Sequence, residues 1–329
     1  MKILITDEPG ELEWHLDEEI GAIHRALPDA DIDCLAYTTP DALREHLADA
    51  DGVLTSFVPF PADVLTAAKK LKVISVKALG TDPLDLEAAR RQGITVHNVS
   101  DYCTDEVADH AMALLLALAR HLKPYDQRIQ TKERGAAEVS MEHGLHRLAG
   151  QYLALFGWGH IGKAVARRAK AFGLHVLVVS SHLTTAEALR HGVHLVSKGE
   201  ALREADILSN HMRQTPDKYR YFAAEEFAAM KRRPIFLNTG RAAAVDESAL
   251  LAALDMQEIS AAGLDVFDSD ASGLRARRLL RRDNVILTPH AAFYSEESER
   301  ELFDQAIGNL LAELLPGTMP DPSPAPSFR

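Results

Sequence analysis

The sequence predicts an α/β protein built from two parallel-sheet units, and three observations predict it. Short apolar runs alternate with helix-like stretches from the N-terminus to about residue 100, and a second alternating run begins at Gln151. A long apolar helix joins the two runs. Alternation of this kind brings parallel strands together through crossover helices.

In the first unit, strands are expected at residues 2–6, 32–35, 52–54, 73–76 and 94–97. Helix-like stretches cover 40–48 and 61–69, and 85–92 stops at Gly93 as a glycine-capped helix does. The joining helix spans about 104–120, with Asp105 and Glu106 in its first turn and Arg120 near its end, complementing the macrodipole. It is apolar nearly all round from 111 to 119, so its own domain or a partner subunit has to bury several of its sides. After a polar stretch, 123–147, strands are expected at 152–156, 174–179, 193–195, 207–208, 235–238, 261–265 and 285–287. Helices such as 162–172 and 247–254 lie between them, a last helix covers 296–315, and the Pro- and Ser-rich tail 316–329 is expected to be disordered.

At 329 residues the chain is long enough for two cores. Its net charge of −12 repels phosphate backbones and anionic lipid, which argues against nucleic-acid and membrane partners. The basic run Arg275, Arg277, Arg278, Arg281 and Arg282 reads as a solvated or active-site-adjacent loop rather than a DNA patch. Cys34 and Cys103 stand in no metal spacing and fit a reducing compartment. The N-terminus lacks the apolar core of a signal peptide, and the 111–119 run is too short to span a bilayer, so a cytoplasmic protein is expected. His143/His146 and His191/His194 have no carboxylate or cysteine frame, so no metal site is expected.

Gly157-Trp158-Gly159-His160-Ile161-Gly162 follows the expected strand 152–156 and opens an alanine-rich helix. In such a turn the first glycine permits the bend, the second admits a pyrophosphate to the backbone, and the third lets helix and strand pack closely. Amides at the helix start then face the phosphates. The pattern is that of a dinucleotide-binding turn. It calls for a carboxylate at the end of the next strand to accept from the adenosine ribose, but 174–179 runs into Ser180-Ser181-His182. No carboxylate is there to repel a 2′-phosphate and no arginine to attract one, so NAD and NADP both stay open.

Hydride transfer to a 2-oxo acid needs a cation for the substrate carboxylate, an acid for the nascent alkoxide, and a group that keeps the acid protonated. Arginine suits the first, and a histidine–carboxylate pair the other two. Candidates stand at three strand ends: Leu237-Asn238-Thr239-Gly240-Arg241, Gly263-Leu264-Asp265-Val266-Phe267-Asp268-Ser269-Asp270 and Thr288-Pro289-His290-Ala291-Ala292. In these motifs the chain resembles the D-isomer-specific 2-hydroxyacid dehydrogenase family, over nearly its whole length up to the tail.

By that resemblance Arg241 holds the substrate, His290 is the acid/base, and Asp270 is its paired carboxylate, raising the imidazole pKa. Asp268 reads as a surface or capping residue. The resemblance puts Asp265 near the nicotinamide amide, and His160, Ile161, Met212, Arg213 and Thr239 at the cofactor with Gly157, Trp158, Gly159, Gly162, Ser180 and Gly240. Val76-Lys77-Ala78-Leu79-Gly80-Thr81-Asp82 is similar to the family loop whose backbone amides hold the substrate carboxylate. That places Lys77, Leu79 and Gly80 at the substrate, with Tyr102, Phe293 and Phe57 as pocket walls. Residues 101–110 resemble the segment that opens the family's interdomain helix.

The family implies two Rossmann-like or flavodoxin-like domains, a cofactor domain (100–291) inserted into a substrate domain (1–99 and 292–315), and a homodimer. Three residues depart from its pattern: Asp270 stands where Glu is usual, Ala78 replaces the first glycine of the loop, and Ser180 replaces the cofactor aspartate. The run from Thr288 to Glu296 looks most like the C-terminal-binding-protein branch, which leaves an NADH-sensing interaction module as an alternative. The complete Arg/carboxylate/His set and the acidic surface favour a 2-oxo acid reductase, and oxidation of formate or phosphite fits less well.

Overall fold

The structure is a computed structural model and describes residues 1–131, 145–267 and 278–315. It divides into two compact units, Met1–Tyr102 with the segment from Ser295, and Cys103–Tyr294.

The first unit holds an all-parallel sheet in the order β2-β1-β3-β4-β5, made of β1 (Lys2–Asp7), β2 (Asp31–Ala36), β3 (Gly52–Thr55), β4 (Val73–Val76) and β5 (Thr95–Asn98). β3 and β4 are buried end to end and β1 nearly so, which is why they read as unbroken apolar runs rather than alternating ones. The helices are α1 (Pro9–Leu12), α2 (Leu16–Ala26), α3 (Pro40–Leu47), α4 (Ala62–Leu65) and α5 (Leu86–Arg91). α3 starts on Thr39, whose hydroxyl accepts the Ala42 amide, and α5 on Asp85, which accepts that of Ala88. The helix expected over 61–69 is shorter, because Ala67 and Ala68 bond three residues back to Val64 and Leu65 and the chain tightens into a turn before β4. The final helix, Glu296–Leu314, lies on β3, β4, β5 and α2, and the Ser75 hydroxyl donates to its Ala306 carbonyl at 2.7 Å.

The second unit is a seven-stranded parallel sheet, β12-β11-β10-β9-β6-β7-β8. Its strands are β6 (Tyr152–Phe156), β7 (His175–Val179), β8 (His194–Leu195), β9 (Ile207–Asn210), β10 (Ile235–Asn238), β11 (Ala261–Leu264) and β12 (Val285–Leu287). β6 lies between β7 and β9, so the strand order reverses there and a crevice opens beyond the carboxyl ends of the strands. The helices are α6 (Thr104–Ala119), α7 (Leu122–Gln130), α8 (His160–Ala171), α9 (Thr185–His191), α10 (Lys198–Glu204), α11 (Ala224–Ala228) and α12 (Glu247–Asp255).

α6 sends Ala108, Ala111, Met112, Leu114, Leu115 and Leu118 into the core of this unit, where it packs on α8, β10 and β11. Most of its apolar surface is therefore covered by its own fold, leaving Ala113 exposed and Leu116 and Ala117 half-buried. Arg278 and Arg282 of the basic run pair with Asp255; Arg275, Arg277, Asp268 and the tail 316–329 lie outside the described residues. Among the described residues no helix is long and apolar enough to cross a membrane.

Candidate active site

The glycine-rich turn joins β6 to α8. Gly157 has φ +105°, and a Cβ there would lie 2.6 Å from the His211 carbonyl oxygen; one on Gly162 would lie 2.5 Å from the carbonyl oxygen of Gly157. Both positions are closed to side chains by the protein's own backbone. A Cβ on Gly159 would meet nothing within 4 Å, so this glycine faces open space at the start of α8. The amides of Ile161 and Gly162 lie ahead of the first internal bond of that helix, which the Lys163 amide makes to the Gly159 carbonyl. A cradle of this shape, with a helix start and room in front of the backbone, fits a dinucleotide pyrophosphate. Trp158 and Ile161 turn the other way and pack on the core, and the Trp158 ring meets His191 edge-on at 5.4 Å.

Beyond β7, the Ser180 hydroxyl oxygen accepts the amides of His182 and Leu183, both at 3.2 Å. It caps its own turn, and its proton stays free to donate.

Two buried asparagines, not anticipated from the sequence as a pair, shape the neighbouring turns. Asn210 donates to Asn238 Oδ1 at 3.0 Å and accepts the Met212 amide at 3.1 Å. Asn238 accepts the Gly240 amide at 3.2 Å and donates to the Arg241 carbonyl at 3.0 Å. The turns that carry Met212 and Arg213, and Thr239 to Arg241, are thus locked together. His211 lies between them, its Nε2 2.8 Å from Ser209 Oγ and its Nδ1 3.4 Å from Thr239 Oγ1. Burial pushes its pKa down to about 4, so the ring is neutral.

Asp265, at the end of β11, is 1% exposed. Its Oδ1 accepts the Thr288 hydroxyl at 2.6 Å and the Ala291 amide at 2.9 Å, while Oδ2 accepts the Ala292 amide at 3.0 Å. Asp265, which the resemblance puts near the nicotinamide amide, thus straps the turn that carries His290. His290 itself has φ +55°, and its amide donates to the Asp265 carbonyl at 2.9 Å. Phe293 stands edge-on to the imidazole at 6.1 Å. The His290 pKa is lowered, because the protein mass around the ring disfavours its charged form although the residue is partly exposed; Asp265 acts to raise it, and Arg241 lowers it further. The expected raised pKa rests on Asp270, which lies outside the described residues; among the described ones burial and Arg241 outweigh the one carboxylate.

In the first unit the Lys77 ammonium is buried between Asp7 at 2.8 Å and Glu19 at 2.7 Å, and its amide donates to the Thr55 carbonyl at 2.7 Å. Both of its polar groups are taken up inside the unit, so the residue supports the loop from below. Burial alone would lower its pKa, but the two carboxylates hold it above the ordinary value. Asp7 also accepts the Ser56 amide at 2.5 Å and so ties in the loop that carries Phe57. Among the described residues no acceptor takes the amides of Leu79 and Gly80, while Asn98 holds the Leu79 carbonyl at 2.9 Å. Tyr102 is buried and Phe57 is 42% exposed.

With the geometry in hand, comparison with known proteins is informative. Residues 112–292 match the family described as D-isomer specific 2-hydroxyacid dehydrogenase, NAD binding domain. The chain is 34% identical to glycerate dehydrogenase of Methylorubrum extorquens over 83% of its own length and 86% of that protein. It is 33% identical to D-3-phosphoglycerate dehydrogenase 2, chloroplastic, of Arabidopsis thaliana over 99% of its own length, but spans only 51% of that longer protein. Among solved structures it is similar to the D-lactate dehydrogenase of Aquifex aeolicus complexed with NAD and lactic acid, with TM-score 0.82, 25% identity and 95% of each chain covered. The nucleotide cradle, the strand-end arginine and histidine, and these matches agree: the chain belongs to the D-isomer-specific 2-hydroxyacid dehydrogenase family.

Proposed function

We propose that the chain reduces small 2-oxo acids to D-2-hydroxy acids with NADH or NADPH, and catalyses the reverse oxidation. The observation that carries this is the convergence of Arg241 and His290. They come from turns after different strands, yet the arginine charge bears on the imidazole, at the carboxyl ends of the parallel strands where the glycine turn also lies. Bound at that turn, the nicotinamide nucleotide supplies the hydride. Arg241 takes the substrate carboxylate and polarises the ketone with its planar fork. Protonated His290 gives its proton to the alkoxide oxygen. In the first unit the free amides of Leu79 and Gly80 are donors suited to a carboxylate. The interaction-module alternative is not favoured, since the relatives that span this chain are named as dehydrogenases. The test is a panel of glyoxylate, pyruvate, hydroxypyruvate and an aromatic 2-oxo acid, each with NADH and with NADPH. Tight cofactor binding with no turnover of any of them would instead support the module.

Cofactor discrimination is expected to be weak and to be set at Ser180. Aspartate there would accept the same two turn amides and add a charge that repels a 2′-phosphate. Ser180→Asp should therefore raise the preference for NADH by about 1–2 kcal/mol, read as the ratio of kcat/KM for the two cofactors. A wild type that already rejects NADPH strongly, or an unchanged ratio in the variant, would move the discriminating residue elsewhere.

The remaining apolar surface of the second unit points to a homodimer. Leu116 and Ala117 are half-buried, and Leu122 and Ile129, two turns apart on α7, are 53% and 57% exposed. Sedimentation velocity at micromolar concentration should show the dimer, and Ile129→Asp should shift it toward monomer.

A further inference from the structure

We propose that His110, on α6, and Thr288, at the end of β12, are positioning residues for His290 that act through the Asp265 carboxylate. This rests on the reading of His290 as the proton donor. His110 Nε2 lies 2.9 Å from Thr288 Oγ1 and 3.6 Å from Asp265 Oδ1. Thr288 has a single hydroxyl proton, and the carboxylate at 2.6 Å has none to offer, so that proton goes to Asp265. The Thr288 oxygen must then accept from His110, which assigns the proton of that ring to Nε2. A directed chain results: His110 donates to Thr288, Thr288 donates to Asp265, and Asp265 receives the amides of Ala291 and Ala292 on the far side of His290.

The chain matters because His290 is not in a relaxed conformation. Its φ of +55° lies in the left-handed region, which is strained for a non-glycine residue. Such a conformation persists only where the surroundings over-determine it. Here the surroundings are Asp265, whose backbone carbonyl takes the His290 amide and whose carboxylate takes the next two amides. A buried carboxylate keeps its orientation only while its lone pairs are filled, and Thr288 supplies the shortest of its bonds. Among the described residues the charged groups that act on His290 are Asp265 and Arg241. On α6, Asp105 and Asp109 are engaged by Arg168 of α8, whereas His110 reaches Asp265 at 3.6 Å and so links this helix to the carboxylate. The alternative is that the network only fastens the ends of β11 and β12, which would alter melting without touching the imidazole.

The experiment uses the whole chain and two readouts: the pH titration of the His290 imidazole by NMR without cofactor, and kcat for the best 2-oxo acid of the panel. Thr288→Val and His110→Leu should each shift the His290 titration to lower pH by about half a unit or more, as the carboxylate drifts from the ring. They should also lower kcat by about tenfold to a hundredfold through misplacement. Thr288→Ser and His110→Gln, which keep the hydroxyl and the donor, should restore both. Lower melting temperatures with a wild-type titration and wild-type kcat per folded molecule would overturn the proposal alone. A His290→Gln variant with the wild-type rate would overturn the proton-donor reading, and the proposal with it.

Discussion

Replacing His290 with alanine should lower the rate of 2-oxo acid reduction about 10²–10⁴-fold, the usual loss for a missing acid/base, and remove the falling limb of the pH profile. In wild type the limb follows from the working form. Reduction needs the imidazolium, whose fraction falls as pH rises through the pKa. That pKa is lowered first by the protein around the ring and further by Arg241, with Asp265 opposing, so in kcat/KM the fall lies below the ordinary histidine value of 6.5. Oxidation of the hydroxy acid needs the neutral ring and should rise through the same pKa. A substrate carboxylate on Arg241 cancels part of the charge that lowers His290, so the limb in kcat should sit at higher pH than the limb in kcat/KM. Rates with NADH from pH 5 to 9 test all three statements. A limb that survives in His290→Ala would assign the proton to another group. Asp270→Asn belongs in the same series: if Asp270 is the partner, the limb moves further to the acid side, and a coincident limb removes it from that role.

Replacing Lys77 with methionine destabilises the first unit by about 3–5 kcal/mol near pH 7, the cost of breaking a buried ion cluster by removing one partner. The side chains of Lys77, Asp7 and Glu19 are 5%, 0% and 2% exposed, so the two carboxylates would be left facing each other without a cation or water. Glu19 would then take up a proton readily, because burial already holds its pKa above the ordinary glutamate value. The pH dependence of the variant is then the reverse of ordinary acid weakening. A carboxyl whose folded pKa is raised contributes stability below its unfolded pKa and loses it as pH rises through the folded one. Lys77→Met should therefore be nearer to wild type at pH 5 than at pH 7.5, measured as the urea midpoint. Equal midpoints for variant and wild type at pH 7.5 would show that the cluster carries no stability. The loop from Ala78 to Asp82 begins where this lysine is anchored, so a loose cluster should also raise KM for the 2-oxo acid.

Much of this was legible in the chain. The β4, β6, β10 and β12 strands were expected at the bounds they occupy, because buried parallel strands are short unbroken apolar runs and these four are flanked by clear turn residues. The glycine turn was legible because its spacing is set by backbone contacts that only glycine permits, as at Gly157 and Gly162. Arg241 and His290 stood out because each closes a strand with a short motif. α2 was less visible: Asp17, Glu18 and Glu19 make its first turn look like a polar loop, although they suit a helix N-terminus.

What no local pattern encodes is which distant groups a side chain meets. The resemblance places Lys77 at the substrate, and only the fold shows that its ammonium lies between Asp7 and Glu19. The resemblance places Asp265 at the cofactor, and only the fold shows that its carboxylate takes the amides beside His290. His110 stands next to Asp109 just before an apolar run, and nothing local names its partner, which comes from the far end of the unit. Periodicity and turn chemistry act over a few residues, so the sequence alone determined the two parallel sheets and the glycine turn, and marked Arg241 and His290 as the candidate pair. Hydrogen bonds and buried charges join residues far apart in the chain, so only the tertiary structure decided which groups hold the charged candidates in place.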